Sequence, residues 1–324
     1  MEGRGMQRRR WIGPGLLSLL GILVAGGAAA APAGEPVAVL TEIRPGQGEV
    51  RVRLAAEAEW AVPLPLLSLG AGDQIRATQD AAAVLLFAEG QGTLTVSAAN
   101  SPYTVQPPAG TSSDPARDLL TSLGRLLMGQ KKEPVRVPLV TRRVEDRPLL
   151  LVPRDGVLLG SPTFEWDGSE WLPYTVRVAG PEGVLWEQGN LRRAPLPYPA
   201  AAAPLRPGVA YRWELEARGF PAEQGRFTIL PEAEAAAVRS TLASLAPEAL
   251  SGYPRNTVVL VRAAYLFDRG LFTEARAALR SALAADPGEP SLHVMLGRIY
   301  ERTGLPELAL SEFEEAEFLS AGGR

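Results

Sequence analysis

Two stretches of this sequence share one pattern: residues 263–282 read AAYLFDRGLFTEARAALRSA, and residues 297–316 read GRIYERTGLPELALSEFEEA. Small residues, large apolar residues and a glycine recur in both, thirty-four residues apart. The matching pairs are Ala263/Gly297, Leu266/Tyr300, Gly270/Gly304, Ala275/Ala309, Leu279/Phe313 and Ala282/Ala316. This period, with small residues where helices touch and a glycine in the turn, predicts a helix–turn–helix repeat. Such repeats stack into grooves that bind other proteins and carry no chemistry of their own.

The predicted repeats span 256–289 and 290–323, and each has a signature of small and large apolar positions. The signature residues are Gly270, Phe272, Ala275, Leu279, Ala282 and Pro287 in the first repeat, and Leu296, Gly297, Tyr300, Gly304, Ala309, Phe313 and Ala316 in the second. They resemble the tetratricopeptide (TPR) family, which implies antiparallel helix pairs that bind a partner protein. The sequence departs from that family in lacking the early Trp, where Val259 and His293 stand, and in carrying Arg262 at an apolar position. The second repeat also lacks the closing Pro.

Two repeats are fewer than the three or more that a stacked helical array usually needs to bury its core. Three arrangements would supply the missing contacts. A further helix, expected over 231–245 in the all-α region 231–324, would act as a partial third unit. Alternatively, the array packs on the preceding β region, or it pairs with another chain.

Composition excludes several classes of function. The chain of 324 residues contains no Cys and a single His, His293, and its net charge is −3. The missing thiols exclude disulfides and thiolate metal sites, and a catalytic triad or a His-based metal centre would have to be built around His293 alone. We expect His293 to lie on a helix surface. No Gly-rich phosphate motif and no global basic field is present, so we expect neither a cofactor, a metal nor a nucleic-acid partner.

The N-terminal residues 1–33 have the pattern of a signal peptide. Arg8, Arg9 and Arg10 precede an uncharged run over 11–31, which ends in small residues suited to cleavage. This predicts an exported protein, periplasmic or extracellular. An uncleaved membrane anchor remains the alternative because the apolar run is about 20 residues long. The pattern leaves open the general or the twin-arginine export route.

Residues 37–107 show the alternation of a small all-β domain. The features that identify it are Trp60, the Gly72-Asp73 turn, an alternating strand over 75–87 and the acidic hairpin Glu89-Gly90. Their order resembles the FecR-type domain, which implies a binding or sensing module of a bacterial cell envelope. Transmembrane members of that family carry a cytoplasmic segment that handles a sigma factor, and only about ten residues precede the apolar run here. Asp73 is expected to bind backbone in its own turn.

Residues 111–132 predict an amphipathic linker helix with a leucine stripe at helical spacing. The stripe consists of Leu119, Leu120, Leu123, Leu126 and Leu127. It would either cover a neighbouring sheet or bind a partner or membrane surface, and we favour the sheet because the opposite face is not densely basic.

Residues 134–230 predict a β-sandwich with regularly spaced turns. The turn signals are Asp155-Gly156, Asp167-Gly168, Glu182-Gly183, Gln188-Gly189 and Pro207-Gly208. The stretches 162–166 and 207–213 resemble immunoglobulin-like and fibronectin-type modules, a likeness of fold alone. Trp166, Trp186 and Trp213 could form a glycan-stacking platform, but we expect Trp166 and Trp213 in the core and Trp171 to be exposed.

The whole pattern indicates a multi-domain, non-enzymatic envelope protein that binds ligands or other proteins. The β modules would bind an envelope glycan or peptide, and the repeats would bind a protein partner. A secreted glycan hydrolase is one alternative, with acid pairs drawn from Asp155, Glu165 or Asp167 about 5–10 Å apart. A membrane-anchored signalling regulator is another. The acidic run 307–317 is expected to be a solvated face.

Overall fold

The structure is a computed structural model that describes residues 35–88, 92–106, 115–128, 147–246 and 248–323. Its first region contains seven short strands: β1 (Ala38–Arg44), β2 (Val50–Arg53), β3 (Ser68–Leu69), β4 (Gln74–Ala77), β5 (Ala82–Phe87), β6 (Thr93–Ser97) and β7 (Tyr103–Thr104). They form two antiparallel sheets, in the orders β3-β1-β5-β6 and β2-β4-β7. The inward residues of both sheets share one apolar core, which includes Leu40, Ile75 and Leu85.

The predicted single strand over 75–87 is wrong. A turn over residues 78–81 separates β4 from β5, closed by the bond from the Ala81 N–H to the Thr78 carbonyl (2.9 Å). The two strands then enter different sheets, β4 beside β2 and β5 beside β1. Strand β4 buries alternate side chains, whereas β5 is buried at five of its six positions, so the two do not form one alternating strand.

The middle region contains eight strands: β8 (Leu149–Val152), β9 (Asp155–Val157), β10 (Thr163–Asp167), β11 (Tyr174–Gly180), β12 (Gly183–Leu191), β13 (Leu196–Pro197), β14 (Ala210–Ala217) and β15 (Glu223–Ile229). Their sheet orders are β13-β10-β8 and β12-β11-β14-β15-β9. Phe164 of the first sheet and Trp213 of the second meet in one core, with ring centroids 5.0 Å apart. The region is therefore β-rich, as predicted.

Two of the residue pairs predicted to form turns lie within strands. Gln188-Gly189 lies within β12, where the pairing with β11 shifts register and the following Asn190 takes a positive φ of 58°. Such a bulge uses the same residue types as a turn. Asp155-Gly156 lies in β9, which pairs in parallel with β15.

The helices are α1 (Pro115–Met128), α2 (Glu232–Ser244), α3 (Arg255–Asp268), α4 (Phe272–Ala285), α5 (Pro290–Arg302) and α6 (Pro306–Ser320). The pairs α3/α4 and α5/α6 turn at Gly270 and Gly304, both with positive φ (70° and 76°). Gly297 lets α6 approach α5, since a Cβ there would lie 2.6 Å from the Phe313 ring. The predicted helix–turn–helix repeats are confirmed.

Helix α1 packs against α3 as well as against the first sheet. Leu127 and Met128 are buried, and Gly124 lies against Leu86 of β5. The sheet contact was expected, whereas the helix contact was not. All three regions belong to one compact unit. No helix among the described residues is long and apolar enough to span a membrane.

Candidate binding surface

Helices α3 and α5 present equivalent residues one period apart on a common face. The equivalent pairs are Thr257/Ser291, Ala264/Arg298, Phe267/Glu301 and Asp268/Arg302. Because stacked repeats repeat their geometry, residues thirty-four positions apart lie side by side. We call this surface the repeat face.

Strand β1 covers the repeat face at the N-terminal ends of the helices. Thr41 Oγ1 lies 2.8 Å from Thr257 Oγ1, and Glu42 Oε1 accepts hydrogen bonds from Thr257 N (3.0 Å) and Thr257 Oγ1 (2.9 Å). Glu42 is fully buried and also pairs with Arg44. Its carboxylate binds a main-chain donor in the first turn of α3, where the helix dipole favours negative charge.

Glu289 closes the same joint from the start of α5. Its Oε1 atom accepts hydrogen bonds from Ser291 N (3.1 Å) and from Ile43 N of β1 (3.3 Å). The side chain is 1% exposed, and burial, together with the nearby charge of Glu42, raises the pKa of Glu289 to about 8. This part of the repeat face is thus occupied by the protein's own first sheet.

The other end of the repeat face is an open cleft of about 930 Å³. Four arginines line it, namely Arg125, Arg269, Arg298 and Arg302. Its acidic residues are Asp155, Asp268 and Glu301, and its apolar lining includes Leu126, Ala264, Phe267 and Phe272. We call this opening the repeat cleft.

The arginines of the repeat cleft are held in different ways. Arg269 lies over the Tyr265 ring (5.3 Å to the centroid) and Arg302 over the Phe272 ring (5.8 Å), which orients both side chains while leaving them exposed. Arg298 is half-buried, and burial lowers the pKa of its guanidinium, with Glu301 opposing. The cleft combines cationic and apolar groups, which suits a polypeptide that carries both acidic and apolar side chains.

A tetratricopeptide repeat model matches residues 257–299. The match covers most of α3, all of α4 and most of α5, and so includes residues of the repeat cleft from all three helices. A comparison of the chain with curated proteins finds no match. The match identifies the repeat and concerns those residues alone.

The tetratricopeptide helices also pack on the middle β region. Arg276, which is 3% exposed, donates from Nη1 to Glu165 Oε2 (2.9 Å) and from Nε to the Tyr300 hydroxyl (3.3 Å). Leu158 N donates to Glu274 Oε1 (2.6 Å). Of the three arrangements expected to stabilise a short array, packing on the β region is observed.

Val238 of helix α2 and Leu245, which directly follows that helix, belong to the core of the repeat helices. Arg262, the unexpected charge in the first repeat, donates to the carbonyls of Leu242 (3.0 Å) and Leu245 (2.8 Å) at the end of this helix. The departure from the family pattern therefore satisfies carbonyls that a helix end leaves without partners.

The candidate hydrolase carboxylates have separate surroundings. Glu165 is paired with Arg276 and Arg280, whereas Asp155 lines the repeat cleft at the edge of the second middle sheet. Asp167 ends β10 and is exposed. Among the described residues, no group of three or more acidic or His side chains is arranged to hold a metal ion.

His293 is less exposed than the sequence predicted. Its Nδ1 lies 2.7 Å from Glu312 Oε2, and its Nε2 lies 3.0 Å from the Pro287 carbonyl oxygen. Burial alone would lower the pKa of this imidazole, but the bonds to Glu312 and Pro287 raise it overall. The ring links α5 to α6 rather than pointing into solvent. Glu314, Glu315 and Glu317 of the acidic run are exposed, as expected, whereas Glu307 and Glu312 are partly buried.

Trp166, Trp171 and Trp213 behave as expected. Trp213 is fully buried and Trp166 is 6% exposed, so neither can offer a stacking surface, while Trp171 is 89% exposed. Trp186 packs in part against Phe164 (5.9 Å between centroids).

The residues of the FecR resemblance lie at turns and beside strands of the first region. The guanidinium carbons of Arg53 and Arg76 each lie 5.0 Å from the centroid of the Trp60 ring. Gly72 has a positive φ of 92°, and Asp73 accepts bonds from the main-chain N–H of Gly70 (2.8 Å) and of Ala55. Glu89-Gly90 and the signal-peptide pattern lie outside the described residues.

Sequence reasoning found the repeats but not the arginines of the repeat cleft. A signal was present, because Arg298 and Arg302 stand one period after Ala264 and Asp268. This equivalence places Arg298 and Arg302 on the repeat face, beside Ala264 and Asp268.

Proposed function

We propose that the protein is a non-enzymatic scaffold that binds a partner protein through the repeat cleft. The observation that carries the proposal is an open, arginine-lined cleft on helices that match a tetratricopeptide repeat. Repeats of this kind generally act in protein–protein interaction. The bound segment would place acidic side chains near Arg269 and Arg302 and apolar side chains against Phe267 and Phe272.

The scaffold role extends to the rest of the chain. With its first sheet on one end of the repeat face and its middle sheets behind α4, the protein would present two β regions in a fixed relation to the bound partner. The resemblances to FecR-type and immunoglobulin-like modules support an envelope glycan or peptide as a further ligand.

The proposed location is the cell envelope, periplasmic or extracellular. Support comes from the basic and apolar pattern of residues 8–31. Mass spectrometry of the mature N-terminus tests this: a start close to Gly34 supports export with cleavage, and an intact 8–31 segment in the mature chain supports a membrane anchor instead.

Partner binding is tested by capture from envelope extracts with the full chain and two double variants. Arg269→Gln with Arg302→Gln removes two exposed charges from the repeat cleft. Arg239→Gln with Arg255→Gln removes two exposed charges of α2 and α3 outside it. We expect the cleft variant to lose captured proteins that the control variant retains. Identical recovery with both variants would contradict the proposal.

A further inference from the structure

A second cleft, of about 430 Å³, lies on the five-stranded middle sheet. Arg212 of β14 and Arg226 of β15 both line it, and the strand register places them directly opposite each other. Both side chains belong to exposed residues. Like charges directly opposite each other on neighbouring strands repel, so this pair of arginines lowers the stability of the unbound protein. We call this opening the sheet cleft.

In the neighbouring row of cross-strand residues on the same sheet, the arginine is paired with glutamates. The two rows of one surface therefore differ in their charge. Arg177 lies opposite Glu214 in the register and also bonds to Glu187 (2.7 Å) and Glu216 (3.3 Å). In the next row Ala179 lies opposite Arg212, which lies opposite Arg226. Across the described residues, neither Arg212 nor Arg226 takes part in an ion pair.

The sheet cleft and the repeat cleft meet at Asp155, which lines both. Asp155 begins β9, opposite Phe227 of β15, and the next residue donates from Gly156 N to the Gly270 carbonyl (3.1 Å) in the α3–α4 turn. This bond holds the edge of the sheet against the repeats, so the two openings are neighbours on one surface.

Charge distinguishes this surface from the rest of the molecule. Together the clefts are lined by six arginines and three acidic residues. The chain as a whole carries a net charge of −3. A positive surface on a negatively charged protein favours an anionic partner at this position over other positions.

We propose that the sheet cleft is a second subsite that binds acidic residues of the same polypeptide segment held in the repeat cleft. The inference rests on the proposed function, because the repeat cleft anchors the segment. The apolar lining at Leu126, Ala264, Phe267 and Phe272 favours a polypeptide over an acidic polysaccharide, since a polypeptide supplies apolar side chains between its charges. Arg212 and Arg226 bind carboxylates and thereby offset their mutual repulsion.

Two labelled peptides test the proposal by fluorescence anisotropy with the full chain. The short peptide has a central Leu-Phe pair flanked by single Glu residues, and the long peptide extends it with runs of Glu at both ends. Because the second subsite adds contacts within one ligand, the long peptide should bind more tightly. Arg212→Gln with Arg226→Gln should weaken the long peptide about fivefold and leave the short peptide unchanged.

The matched control is Arg193→Gln with Arg218→Gln, which removes the same charge from exposed residues of the same region outside both clefts. Its binding of both peptides should equal that of the parent protein. Thermal unfolding of all variants shows that the fold is kept.

The outcomes separate this inference from the proposed function. If Arg269→Gln with Arg302→Gln weakens both peptides while the sheet-cleft variant binds the long peptide normally, the second subsite is refuted and the repeat cleft stands. If neither variant changes binding, both proposals are refuted. Equal weakening by the sheet-cleft variant and its control refutes the subsite in favour of general electrostatic attraction. A sulfated glycan that binds more tightly than the long peptide, and depends on Arg212 and Arg226, refutes the choice of a polypeptide.

Discussion

Glu42 and Glu289 interlock the first sheet with the repeats. Glu42 of β1 accepts the Thr257 N–H at the start of α3, and Glu289 at the start of α5 accepts the N–H of Ile43, the residue after Glu42. Both carboxyl groups are buried, at 0% and 1% exposure. Each region thus supplies a carboxyl oxygen that accepts a hydrogen bond from the main chain of the other.

The first prediction is that stability falls as pH rises because of Glu289. Its folded pKa of about 8 lies above the ordinary value of 4.5, so between these values the folded protein holds a proton that the unfolded chain releases. The free energy of unfolding therefore falls by about a few kcal/mol as pH rises from the unfolded to the folded pKa. Above the folded pKa it falls no further on account of this group. Urea unfolding at a series of pH values measures it.

Glu289→Gln is the informative variant because it keeps the shape and cannot ionise. The difference in unfolding free energy between parent and variant should change with pH across the window, in favour of the variant at high pH. Arg44 and Glu42 are charged groups that face the same joint, and both are unchanged in the variant. A difference that stays constant with pH would show that Glu289 does not titrate in this way.

The second prediction concerns Arg276, which joins the repeats to the middle sheets. Arg276→Met should cost about 2–3 kcal/mol because Glu165 and the Tyr300 hydroxyl lose a largely buried partner. Arg280→Met is the control, since Arg280 also pairs with Glu165 but has a side chain 55% exposed, and should cost less than about 1 kcal/mol. Chemical denaturation compares them. Equal costs would mean that burial of Arg276 contributes nothing to the joint.

The third prediction concerns Arg262. Arg262→Leu restores the apolar residue typical of the repeat family but removes the donors to the Leu242 and Leu245 carbonyls. We expect faster amide hydrogen exchange in α2, with little change in α5 and α6. Unchanged exchange in α2 would show that these bonds do not hold the helix end.

The repeats could be predicted from sequence because their information is local. Gly270 and Gly304 mark turns, and small residues such as Ala275 recur thirty-four positions later. This period is sufficient to predict the helix pairs. The joint between Glu42 and Thr257 could not be predicted, because these residues are 215 positions apart and neither belongs to a recurring pattern. Arg212 and Arg226 were missed for the same reason, since their opposition depends on strand register rather than on spacing along the chain.

The last prediction tests the close approach of α5 and α6. Gly→Ala inside a helix usually stabilises by about 1 kcal/mol. At Gly297 the new Cβ would lie 2.6 Å from the Phe313 ring, so Gly297→Ala should instead destabilise by about 1–3 kcal/mol. Gly288→Ala, where a Cβ has no neighbour within 4 Å, is the control and should be nearly neutral. Phe313→Leu in the Gly297→Ala background should recover part of the loss by making room for the methyl group, which a double-mutant cycle measures. A Gly297→Ala protein as stable as the parent would show that α5 and α6 can separate slightly without cost, and that the small residue is not required there.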